Sequence, residues 1–132
     1  MAMREDLITR TTLLDESPPF IPDSPEFMTV LIEVPPGEGV APHRHSGPLS
    51  AYVLEGEMIF ELEGQPERLV RAGEAVFEPG GDVIHYQTAN PRPDTWLRFL
   101  ATMIMVPGQP MQTLVSDEEL EQRRERRAPR PS

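Results

Sequence analysis

The chain has 132 residues, a formal charge of −10, no cysteine, and twelve basic residues that are all arginine. That length suits one domain with a single core. The missing residue types exclude disulfides, thiolate ligands, lysine Schiff bases and a phosphate-loop lysine. Residues 1–115 carry the whole charge of −10, while 116–132 are balanced, with five acids and five arginines. An acidic body of this kind argues against nucleic acid, which is held through cationic contacts to phosphate, and against an anionic membrane surface. No run of about 18 apolar residues is present to span a bilayer. The N-terminal MAMREDLITR carries acids and no apolar h-region, so it does not read as a secretory signal, and a cytoplasmic location is the expectation.

Residues 1–26 read as an early edge strand within 4–14 followed by a Pro-rich arm, DESPPFIPDSPE, whose Phe20 and Ile21 need a partner. Residues 27–115 read as short strands with turn signals between them. Phe27–Val34 is the first, closed by Pro35-Pro36-Gly37; Ser50–Leu54 is another, closed by Glu55-Gly56. EMIFELEG (57–64) alternates, with Met58, Phe60 and Leu62 on one face and Glu57, Ile59, Glu61 and Glu63 on the other. RLVRAGE leads to AVFEP, HYQTA follows, and WLRFLATMIM (96–105) is the last strongly apolar strand. About eight strands at roughly ten-residue spacing define an all-β sandwich or barrel. Tyr52 and Tyr86 read as core residues, and Glu55 and Glu78 as turn residues facing water. Residues 116–132 supply the only helical signal: Ser116 with Glu119 forms a capping box, acids fill the first turn, and arginines follow. The end, from Ala128 to Ser132, reads as disordered.

All three histidines fall in two Gly/Pro-punctuated stretches. His43 and His45 stand one residue apart in GEGVAPHRHSGPLSAYVLEGE (37–57), and His85 lies in GEAVFEPGGDVIHYQTAN (73–90). On a strand, residues i and i+2 share a face, so His43 and His45 can converge on one point. Concentrating every histidine in this way is the pattern of a metal site.

These stretches resemble the two motifs of the small single-domain bacterial cupins. Gly37, five residues, His43-Arg44-His45 and Gly56 resemble the first; Gly73, five residues, Pro79-Gly80-Gly81, His85 and Asn90 resemble the second. The resemblance covers residues 27–105. It implies an antiparallel jelly-roll barrel, with a short C-terminal helix appended, and His43, His45 and His85 as ligands of one metal. Two departures stand out. The family's motif-one glutamate is replaced by Leu49, and one extra residue precedes His85, which suggests a wider loop or a bulge there.

Without that glutamate the expectation is a three-histidine site suited to Fe, Zn, Ni or Cu, with its charge not offset by a carboxylate. The inward stripe of Met58, Phe60 and Leu62, with Leu49, would form an apolar pocket wall. Gln87, two residues from His85, is either a further donor beside the metal or a polar residue filling the barrel mouth. Arg98 meets an anionic substrate only if its side of the last strand faces inward. The resemblance implies a metal-dependent enzyme on a small organic substrate, with dioxygenation the leading reaction. An isomerase or cyclase, or a binding module without turnover, are the alternatives. It also implies a homodimer.

Overall fold

The computed structural model describes residues 5–130. Ten strands run β1 (Glu26–Val34), β2 (Gly39–Val40), β3 (His43–Arg44), β4 (Leu49–Glu55), β5 (Glu57–Leu62), β6 (Arg68–Arg71), β7 (Ala75–Glu78), β8 (His85–Ala89), β9 (Leu97–Met105) and β10 (Thr113–Leu114). A short helix, α1 (Asp117–Gln122), follows, and single 3-10 turns lie at Glu5–Leu7 and Arg124–Arg126. The strands form two antiparallel sheets, ordered β1-β9-β4-β7 and β10-β3-β8-β5-β6, with β2 also on β8. The fold is the expected jelly roll, although among the described residues no ladder joins the two sheets into a closed barrel.

Strand β9 shows why these residues make this architecture. Every second side chain, Leu97, Phe99, Ala101, Met103 and Met105, is buried, and the strand is flanked by β1 and β4. The facing sheet contributes Met58, Phe60 and Leu62 from β5, all at most 3% exposed, as the alternation of that segment requires. The two inner faces meet in one core, with Val53, Val70 and Val76 filling the space between. Gly56 closes the β4–β5 turn at φ +82°, and a Cβ there would stand 2.5 Å from the Trp96 carbonyl oxygen. Only glycine permits both the left-handed backbone and that approach.

The early strand expected within residues 4–14 is not formed among the described residues; residue 4 lies outside them. Leu7 ends a 3-10 turn, the following chain is irregular up to Glu26, and Leu7, Ile8 and Leu13 are half or more exposed. A strand needs a ladder partner and a face to bury, and this stretch has neither. Tyr52 is also more exposed than expected, at 36%, while Tyr86 is buried.

At the other end, Ser116 caps α1 by accepting from the Glu119 amide at 3.2 Å. The Glu119 carboxylate does not reach back to complete the capping box. It pairs with Arg44 and Arg123 instead, tying α1 to β3. Further along, Arg127 forms a two-pronged bond to Glu61 at 2.7 and 2.8 Å and lies 4.4 Å from the Tyr86 ring centroid. Arg130, in the stretch expected to be disordered, pairs with Glu67 at 3.2 Å; Pro131 and Ser132 lie outside the described residues. Glu61 is therefore only 2% exposed although it faces away from the core. Three arginines of the tail, Arg123, Arg127 and Arg130, pair with Glu63, Glu61 and Glu67 on β5 and the turn that follows it.

Candidate metal centre

His43, His45, Glu78 and His85 are all buried, and one ligand atom from each lies within 4.8 Å of the others. His43 comes from β3, and Cα pairing sets it directly opposite His85 on β8. Glu78 ends β7, where it is the direct cross-strand partner of Leu49. The loops that deliver His45 and Glu78 are locked together. The Gly81 amide donates to the His45 carbonyl at 2.8 Å, and Gly80, at φ +73°, packs so closely on Gly47 that a Cβ would meet its oxygen at 2.2 Å. Asn90, the polar residue of the second motif, donates to the carbonyls of Val34, Pro35 and Thr95, which anchors the end of β8.

Each imidazole has one nitrogen committed to the backbone. His43 Nδ1 stands 2.8 Å from the Ala41 oxygen, His45 Nδ1 2.7 Å from the Met111 oxygen, and His85 Nε2 2.7 Å from the Gln87 oxygen. A carbonyl can only accept, so those nitrogens carry the protons. The opposite nitrogens of the neutral rings are then lone pairs. In His85 that lone pair, Nδ1, faces Glu78 Oε1 at 2.8 Å and is otherwise without a hydrogen-bond partner among the described residues. Two acceptors at that distance repel unless a cation or proton sits between them. His45 Nε2 lies 3.8 Å from the same oxygen.

Protonation favours the same ligand set. Burial pushes His43 down to about 4, so its ring is neutral at neutral pH, the form that binds metals. Burial alone would raise the Glu78 carboxyl. Positive charge in the cluster, first of all between His85 Nδ1 and Glu78 Oε1 where a shared proton or a bound cation would sit, outweighs it and holds the group below its ordinary value. Three neutral imidazoles, oriented by backbone carbonyls, and one carboxylate form a donor set that fits a divalent first-row transition metal. Two bonds of about 2.1 Å span at most about 4.2 Å, and the 2.8 and 3.8 Å from Glu78 Oε1 to His85 Nδ1 and His45 Nε2 fall within that reach.

The expected water-facing position of Glu78 is therefore corrected, and with it the expectation of a site without a carboxylate. The sequence carried a signal for this: in AVFE, Glu78 shares the face of Val76, which is fully buried. Leu49 and Phe60 line the cavity beside the cluster, as expected, and the Phe60 ring lies 4.9 Å from that of His85. Gln87 does not. Its amide donates to Glu61 at 2.7 Å and Glu67 at 2.5 Å, away from the cavity. The cause is a bulge: Leu62 pairs with His85 but Glu61 with Gln87, so Tyr86 is an extra residue and the pleat shifts by one. Thr88 takes the inward position and its hydroxyl lies 2.9 Å from His85 Nε2. The irregularity expected before His85 thus falls just after it. Arg98 points outward, paired with Glu33 at 3.1 Å and Glu55 at 3.6 Å.

A family model described as Cupin domain matches residues 30–103. The chain belongs to the cupin family, as its two-sheet jelly roll and four-residue cluster already indicate. No curated protein matches it. Among solved structures it is similar to a cupin-2 domain, Rru_A2000, from Rhodospirillum rubrum. That match has 21% identity and a TM-score of 0.61, covering 80% of this chain and 68% of that one. It is similar to the polyketide cyclase RemF from Streptomyces resistomycificus at 29% identity and TM-score 0.54, covering 72% and 66%. It is also similar to the DMSP lyase DddQ from Ruegeria pomeroyi at 24% identity and TM-score 0.59, covering 67% of this chain but only 43% of the lyase.

Proposed function

We propose that the protein is a mononuclear metal-dependent enzyme acting on a small organic substrate, with oxygen-dependent cleavage as its reaction. One observation carries this reading: three imidazole lone pairs and one carboxylate converge in a buried cluster at the wall of a cavity. Lone pairs held this close, with every other ring nitrogen already bonded, suit a cation far better than they suit a folded core. When bound, a divalent metal supplies Lewis acidity and an anchoring point for a substrate oxygen or O2. Glu78 would reduce the net charge of the site by one relative to three imidazoles alone. The carbonyls of Ala41, Met111 and Gln87 fix each ring in its tautomer. The apolar cavity walls exclude water, and Glu78 Oε1 stands between His45 and His85 as the carboxylate of the cluster.

A second reading, ring closure or isomerisation without O2, is favoured by the likeness to the polyketide cyclase RemF. Metal analysis of the purified protein, followed by turnover of a substrate panel with and without O2, separates the two. O2 uptake coupled to substrate loss supports the first reading. Turnover unchanged under strict anaerobiosis overturns it in favour of the second.

We also place a second copy of the chain on the outer face of the β1-β9-β4-β7 sheet. Support comes from Phe27, Leu31, Tyr52 and Leu54, apolar side chains that are 71, 44, 36 and 41% exposed beside the Arg98–Glu33–Glu55 ion pairs of that face. Light scattering on the wild type and on Leu31→Asp tests this: a dimer that becomes a monomer is the expected result, and a wild-type monomer contradicts it.

A further inference from the structure

The cavity beside the cluster is unusual less for its size than for what it lacks. Its volume is about 240 Å³, and its walls are built from Ile32, Leu49, Met58, Phe60, Phe99 and Met103 with a few further apolar side chains. Apart from the four cluster residues, the polar side chains lining it are Thr88 and Gln112. The Thr88 hydroxyl is already engaged with His85. Among the described residues no arginine lines it, and lysine is absent from the chain. The arginines nearest in sequence to the lining strands do not line it. Arg98 pairs outward with Glu33 and Glu55, Arg44 is held by Glu119 and Asp82, and Arg68 is exposed beside the Phe60 ring.

An ionised group carried into such a cavity away from the cluster would lose its water and find no counter-charge, which costs several kcal/mol. A cation fares no better there, because among the described residues the one lining carboxylate, Glu78, stands at the cluster end of the cavity. Polar atoms of a ligand are therefore satisfied at one end only, the cluster end. Size sets a second bound. A dry cavity of about 150 Å³ accommodates benzene, and pockets for drug-sized ligands begin near 300 Å³. Phe60 and Phe99 offer ring faces and edges, and the methionines Met58 and Met103 supply polarisable, adaptable packing against a planar molecule.

Resting on the metal-site reading above for its polar end, we propose that the substrate is a neutral, mostly hydrocarbon, planar molecule. It carries oxygen at one end only and is somewhat larger than benzene, of the type of an aryl ketone. Molecules with a carboxylate, phosphate or ammonium group at the far end are excluded.

Calorimetric titration of full-length protein, metal-free and zinc-loaded, with 4-methylacetophenone and 4-acetylbenzoate tests this directly. The two share a ketone head and differ in the charge at the distal end. Metal content is measured separately on the same samples. The expected result is at least a tenfold preference for the methyl compound in both forms. Ile32→Arg, at a half-buried lining position, is expected to shrink that preference. Equal or tighter binding of 4-acetylbenzoate by the wild type, or no binding of the methyl compound at millimolar concentration, overturns the proposal. Failure to retain zinc with the preference intact would instead refute the metal-enzyme reading and leave the cavity's selectivity standing.

Discussion

Leu49 and Glu78 are direct cross-strand partners on the inner face of the β4–β7 pair, so the carboxylate can be moved between them. Directly opposed residues have Cβ atoms about 5 Å apart, within the reach of a glutamate side chain. Consider Glu78→Leu alone, and then combined with Leu49→Glu. Unit charges about 4 Å apart at an effective dielectric of about 20 attract by about 4 kcal/mol. Relief of the buried carboxylate's desolvation offsets part of this, leaving roughly 2–4 kcal/mol, or roughly 30- to 1000-fold in metal affinity. Glu78→Leu should therefore weaken zinc binding by about two orders of magnitude, and the double variant should recover most of that loss. Competition with a chromophoric chelator measures both. The metal-free Glu78→Leu protein should melt no lower than wild type, because a buried charge has been replaced by an apolar side chain. Unchanged zinc affinity in Glu78→Leu refutes the reasoning. So does a double variant no better than the single one.

The outer-face ion pairs give two further expectations. Arg127→Ala leaves the 2%-exposed Glu61 carboxylate without its two-pronged partner, and should cost about 2–3 kcal/mol by urea unfolding. Arg124→Ala removes an exposed pair with Glu121 and should cost less than about 0.5 kcal/mol. Equal effects would mean that the C-terminal segment does not cover β5. Acid should loosen the same segment. The hydrogen bond from Arg44 pulls Glu119 from its ordinary 4.5 to about 2, so its contribution is complete above about 4.5 and is lost as pH falls through about 2. Melting temperatures across that window should fall less steeply for Arg44→Gln than for wild type; parallel curves would contradict the pairing.

Much of the fold could be read from the residues because its signals are local. Alternation in EMIFEL and in LRFLATMIM gives strand and face together, and Gly56 marks its turn by a backbone that only glycine takes without strain. The histidine cluster was legible for the same reason, through motif spacing. The parts that escaped depend on pairing between distant segments. Glu78 substitutes for the acid missing at Leu49 from the neighbouring strand, a relation set by register rather than by motif position. Gln87 was read by simple i+2 parity, which the bulge at Tyr86 breaks. Arg98 could not be oriented until Glu33 and Glu55 were seen beside it. The pairing of Arg123, Arg127 and Arg130 was not legible locally because their partners, Glu63, Glu61 and Glu67, lie some sixty residues earlier.

X-ray absorption at the metal edge of the loaded protein tests the central claim most directly. A first shell with scattering from three imidazoles and one carboxylate oxygen, losing the oxygen in Glu78→Leu and one imidazole in His85→Ala, is the expected result. A protein that takes up no metal, or a first shell unchanged by both substitutions, would contradict it.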